Sequence, residues 1–131
     1  MTIAFQEAFV AELRAITGLS ALVGTRIYPL EIPSSSALPA IQYRFSEGFA
    51  DPFYVGSFDL VQYQVQIDVY ADDYRVNQQM VDLIVAHFNG FSGDFNSTEQ
   101  AQRVIVDNVL DTIDTSNGRV YRTIIELTIN T

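Results

Sequence analysis

Residues 62–90 read QYQVQIDVYADDYRVNQQMVDLIVAHFNG, and the change of period inside this stretch decides the fold. Tyr63, Val65, Ile67 and Val69 occupy alternate positions, with Gln62, Gln64, Gln66 and Asp68 between them. Strict alternation is the signature of a half-buried strand, apolar side in and amide side out. At Asp72-Asp73 the period lengthens, and Met80, Leu83, Ile84, His87 and Phe88 recur at helical spacing. The two aspartates suit a helix start, where side-chain acceptors and negative charge complement the free N–H groups. Asn89-Gly90 marks the stop. A strand that turns within a few residues into an amphipathic helix is the nucleus around which the rest is placed.

Upstream, residues 40–46 alternate in the same way, with Ile41, Tyr43 and Phe45 on one side and Gln42 and Arg44 on the other. Residues 31–39, with two prolines and Ser34, Ser35 and Ser36, form a loop. Residues 26–30 are a short extended piece halted by Pro29, and residues 19–23 a helical turn closed by Gly24. Over residues 3–17, Phe5, Phe9, Leu13 and Ile16 share one helical face, and Gly18 is a left-handed stop. Downstream, residues 91–100 read as loop, and residues 104–113 and 120–129 as strands joined through Ser116-Asn117-Gly118-Arg119. Asn-Gly suits a tight hairpin, since both central residues take positive φ. The last strand places Tyr121, Thr123, Ile125, Leu127 and Ile129 on one face. The order α-β-β-α-β-β predicts an α+β fold: a mostly antiparallel four-stranded sheet with two main helices packed on one face. With 131 residues, no internal repeat and no dividing linker, residues 1–131 are expected to form a single domain.

The chain is 48% hydrophobic and 18% charged, as globular proteins are. Apolar runs are too short to span a bilayer and no signal-type leader opens the chain, so no membrane association is expected. Cysteine is absent, which excludes disulfides and thiolate metal sites. Sixteen acidic residues stand against seven arginines and no lysine, for a formal charge of −9. Such a surface repels a phosphate backbone, so specific nucleic-acid binding is not expected.

Catalysis lacks its parts. The single histidine, His87, falls on the apolar side of a helix, where a hydrogen bond to a neighbour explains it without chemistry. Ser34–Ser36 sit in no strand-to-helix elbow. Asp107, Asp111 and Asp114 lack the spacing of a calcium loop, and no lysine completes a phosphate loop at Gly24 or Gly90. No carboxylate pair is singled out for glycoside hydrolysis. The expectation is a protein that is not an enzyme, without catalytic residue, cofactor or metal.

One loop is unusual. Residues 47–59, EGFADPFYVGSFD, lie between two strands yet carry Phe49, Phe53, Tyr54, Val55 and Phe58. These side chains either fold back over the monomer core or form a patch for another subunit. The second reading makes Phe49, Phe53, Tyr54, Val55 and Phe58 the expected interface residues, toward another subunit.

Three blocks carry a family resemblance. Residues 19–43, LSALVGTRIYPLEIPSSSALPAIQY, resemble the opening motif of bacteriophage tail-completion (tail-terminator) proteins, in which a helix ends in an "LVG-RIYP" turn followed by a loop and an "LPAIxY" strand. Residues 65–93, ending in GFSG, look like that family's central strand, helix and turn, and VYRTIIELTI (residues 120–129) is similar to its closing strand. Residues 95–113 fall outside these blocks. The resemblance implies a structural virion protein at the tail–head junction, assembled in the host cytoplasm. It implies a six-fold homo-oligomeric ring that stops tube polymerisation and joins the tail tube protein to the head–tail connector or neck, in a phage, prophage or gene transfer agent.

A closed ring needs two different patches, one meeting the other on the next subunit. Arginine as the only cation suits such contacts, because its planar fork binds carboxylates bidentately. A charge of −9 per subunit would multiply around the channel, letting DNA pass without specific binding. The alternatives are another neck component stacked one layer higher, or a monomeric acidic module that mimics DNA. A small hydrolase is the remaining class.

Overall fold

A computed structural model describes residues 3–48, 62–95, 99–101, 103–115 and 118–130. The elements run α1 (Ile3–Arg14), α2 (Leu19–Val23), β1 (Ile27–Pro29), β2 (Ala40–Gly48), β3 (Gln62–Ala71), α3 (Tyr74–Phe88), β4 (Gly93–Phe95), β5 (Glu99–Ala101), β6 (Arg103–Asp114) and β7 (Val120–Asn130). The alternating stretch becomes β3, the central strand, with Val65, Ile67 and Val69 buried. It lies antiparallel to β2 on one side and to β7 on the other.

The main sheet has five strands in the order β1-β2-β3-β7-β6, and β1 joins β2 in parallel. The expected four-stranded sheet is therefore corrected to a mixed five-stranded one. Strand β1 has only three residues, and a strand that short leaves almost no periodicity to read. The broader α+β expectation, a mostly antiparallel sheet with helices on one face, describes the rest.

Asp73 starts α3 as its side chain accepts from Arg75 N at 2.8 Å and Val76 N at 3.4 Å. Helix α1 stops at Arg14 rather than Thr17, although Ile16 beyond it is still buried. Gly18 has φ of 90°, a value disfavoured for any residue with a Cβ, and lets the chain turn into α2.

The core lies between the sheet and the α1–α3 layer. Phe9 of α1 stacks on Phe88 of α3, with ring centroids 5.0 Å apart, and meets Phe45 and Phe95 edge-on at 5.5 Å. Residues 91–100, expected to be loop, contain the small β4–β5 ribbon, which delivers the fully buried Phe95 to this cluster. Two backbone bonds of 2.9 Å, Gly90 N to Val104 O and Val104 N to Phe91 O, tie the end of α3 to the start of β6. Among the described residues no helix is long and apolar enough to cross a membrane.

Candidate interaction surface

The face of the sheet turned away from the helices is built from the intervening residues of β2, β3 and β7. Gln42, Arg44 and Ser46 stand beside Asp68, Gln66 and Gln64, and these beside Ile124, Glu126 and Thr128. The face is rich in neutral amides and hydroxyls, with charges of both signs. A hollow of about 190 Å³ on it is lined by Arg44, Ser46, Gln64, Gln66, Asp107 and Glu126. The acidity of the chain is thus not concentrated on this face.

At one end of this face sits a polar cluster around Asp68. The alternation assigns Asp68 to solvent, yet it is only 2% exposed. Three donors meet its carboxylate: Gln42 Nε2 at 2.7 Å, Arg122 Nη2 at 2.8 Å and Gln66 Nε2 at 3.0 Å. Arg122 also lies over the Tyr70 ring, 5.6 Å from its centroid. Burial works against the Arg122 charge, but the hydrogen bond and charge of Asp68 outweigh it and raise the guanidinium pKa. Arg122 Nε is buried without a hydrogen-bond partner. Ile32 N donates to Gln42 Oε1 at 3.2 Å, so the 31–39 loop leans on the cluster and shields it. Such a pairing is structural: both oxygens of the carboxylate accept hydrogen bonds from side chains that hold the sheet together.

On the helix side a second network joins α3 to the two last strands. Asn77, fully buried, donates through Nδ2 to Val69 O at 3.0 Å, and Thr123 Oγ1 lies 2.8 Å from both Asn77 Oδ1 and Asp111 Oδ1. Tyr74 OH and Gln78 Nε2 donate to Asp111 at 3.2 and 3.0 Å. Asp107 accepts from Thr128. His87 is half-buried, with Nε2 2.9 Å from Glu12 Oε1, so it clasps α3 to α1. It lies at the margin of the buried face assigned to it. Among the described residues no three His, Asp or Glu side chains gather as a metal would require.

What is left uncommitted is strand β6. It pairs with β7 alone among the described residues, and its second half is exposed throughout. Val109, Leu110 and Ile113 are 42%, 52% and 52% exposed. A register shift between Val106 and Asn108 changes the phase, so Val109 faces the helix side and Leu110 the open face. Sequence reading missed this surface. The available signal was the adjacent Val109-Leu110 pair, which breaks period-two alternation.

Phe49, Phe53, Tyr54, Val55 and Phe58, the expected interface residues, lie outside the described residues. Gly48 and Gln62 are the last register partners of β2 and β3 at one end of the sheet. That end is opposite to the one shielded by the 31–39 loop.

No curated protein matches this chain. A chain of a solved structure described as the virion of a native gene transfer agent (GTA) particle shares the fold, with a TM-score of 0.69 at 17% identity. The match covers 96% of this chain and 94% of that one. The family model described as tail completion protein gp17 matches residues 7–90, from α1 to the end of α3. That span includes the strand-to-helix stretch that organises the sheet, and the chain belongs to this family of phage tail-completion proteins.

Proposed function

We propose that this chain is a ring-forming structural subunit that caps the end of a phage-type tail tube, stops its polymerisation and joins it to the head or neck. The observation that carries the reading is the family match over residues 7–90, α1 through α3. The geometry supports it. The polar clusters that a sequence reader would inspect for chemistry, around Asp68 and Asp111, are occupied in holding strands and helix together. The chain acts by shape, without catalysis, and its partners are further copies of itself, the tube protein and a neck protein. DNA passes through the ring without specific binding, the charge of −9 per subunit disfavouring contact with phosphates. The site of action is the tail–head junction of the particle.

The test is the native mass of the purified protein by light scattering across a concentration series, followed by electron microscopy of tail tubes with and without it. A six-subunit species, and tubes that stop growing with the protein at one end, are the expected results. A protein that stays monomeric and leaves tube length unchanged overturns the reading. The charge of −9 then favours the second one, an acidic monomer that occupies a DNA-binding protein.

A further inference from the structure

We propose that the outer edge of β6, over residues 108–113, is a docking site for a strand of a different protein, one that carries arginine or lysine between apolar residues. The inference goes beyond the ring reading, since it concerns a contact with another polypeptide and stands whatever the number of copies in a ring.

Three observations meet on this edge. Strand β6 pairs with β7 alone among the described residues, so no described strand takes up the backbone groups on its outer side. Exposed apolar side chains stand on both sides of that row: Val109 and Ile113 on the helix side, with Tyr74 near them, and Leu110 on the open face. A partner lying on one face would leave the other wet, whereas an added strand covers both and pairs with the backbone groups between them. Asp111 accepts from Tyr74, Gln78 and Thr123, which holds the strip to α3 and β7 as a fixed template. The one register shift falls before Asn108, and from there to the end of β6 each residue has its partner on β7.

Charge selects the occupant. Open edges are commonly blunted by charged side chains, proline, bulges or brevity. Strand β6 is neither short nor interrupted by proline, and the charge along its exposed half is of one sign. Asp107 and Asp111 are exposed, and the groups bonded to them are neutral: Thr128 for Asp107, and Tyr74, Gln78 and Thr123 for Asp111. Hydrogen bonds of that kind leave both negative charges uncompensated. Glu126, on β7 beside Asn108, adds a further carboxylate. Of the cations in this part of the molecule, Arg122 is bound to Asp68, Arg44 stands two strands further in, and Arg75 shares the start of α3 with Asp72 and Asp73.

Such an edge repels a strand that carries carboxylates and attracts one that carries cations. No described strand of this chain has more cations than carboxylates, so a second copy offers no strand of the required sign. The aspartates thus guard the edge against the chain's own kind while leaving it open to a basic partner. The partner's pattern follows from the register. On the helix side the strip reads Val109, Asp111, Ile113, and Leu110 stands next to Asp111 on the other face. Its complement has a cation flanked by apolar residues at alternate positions, with a further apolar residue adjoining the cation.

The probe is an end-blocked synthetic peptide, Ile-Thr-Arg-Val-Val-Thr-Arg, which in antiparallel register sets its first arginine opposite Asp111 and its second near Asp107. It is titrated into the isotope-labelled full chain and followed by amide NMR. Saturable shifts centred on residues 108–113 are expected. The same peptide with glutamate for both arginines should bind about tenfold more weakly or worse, because two attractive pairs become repulsive. Asp111→Asn keeps an acceptor for its neighbours and should weaken binding about two- to fivefold, the effect of one exposed charge pair. Asp107→Asn, at a residue bonded to Thr128 alone, repeats that measurement should circular dichroism show the first variant misfolded. No saturable shift at residues 108–113 up to the solubility of the peptide overturns the proposal, and so does equal affinity for the glutamate peptide. Shifts at these residues that grow with protein concentration, without peptide, would mean that β6 pairs with a second copy and would also overturn it.

Discussion

Asp68 shows how a single residue can defy a correct pattern. Its place on the outward side of β3 follows from alternation, but the donors that bury it come from Gln42, Gln66 and Arg122, the last 54 positions away. Removing Arg122 strands a carboxylate that is out of water. Arg122→Ala is expected to cost about 3 kcal/mol in urea denaturation, with Gln42 and Gln66 limiting the loss. Replacing both Asp68 and Arg122 by leucine should recover most of it, since no charge then remains buried; a double variant as unstable as the single one would contradict this account. The tyrosines make a second residue-scale prediction. Burial raises the pKa of Tyr43, Tyr63 and Tyr70 above the usual 10.0, and Tyr74 is raised chiefly by its hydrogen bond to Asp111. In the unfolded chain these phenols ionise first, so the stabilisation is whole below pH 10 and is lost as pH climbs through the folded values. Phenolate absorbance should therefore rise together with the loss of structure in an alkaline titration. A large phenolate signal from folded protein below pH 10 would be against it.

At the scale of elements, local signals decided most of what formed. The Asp73 cap of α3 was legible because the acceptor, the following helical period and the stop at Asn89-Gly90 agree. Asp73→Ala removes the acceptor for two backbone N–H groups and is expected to cost about 1 kcal/mol, read from thermal unfolding. Asp73→Asn keeps an acceptor and should cost less. Gly18→Ala should also destabilise the chain, by about 1 kcal/mol, because a Cβ is strained at φ of 90° whatever the room around it. The short elements were the least legible: residues 26–30 read as extended, but not as a strand of the sheet, and residues 91–100 read as loop. Strand β1 and the β4–β5 ribbon have three residues per strand, so their identity rests on partners brought from elsewhere: β2 for β1, and the Phe9–Phe88 stack for the ribbon's Phe95. The β6–β7 register closes at Asp114 and Val120, and Gly118 takes φ of 87°. Asn117 lies outside the described residues.

For the whole molecule, one aromatic cluster holds both helices and the ribbon to the sheet. Phe9→Ala would open a cavity where α1, α3 and β4 meet, and a loss of about 3–5 kcal/mol is expected from urea denaturation, against little for the exposed Ile3→Ala. Equal effects at the two positions would mean that α1 is not docked as described. The sequence by itself determined the α+β class, the central strand-to-helix unit, the inward residues of β3 and β7, and the family, because each of these rests on periodicity or on contiguous motifs. It also pointed to an assembly role, on an aromatic segment outside the described residues. Tertiary structure alone decided the fifth strand, the burial of Asp68 and the exposure of β6. A strand's edge position depends on which strands stand beside it, and a residue's burial on what covers it. Val109, Leu110 and Ile113 look like core residues in a linear reading; only the sheet order, with β6 last and a bulge turning its phase, leaves them at the surface.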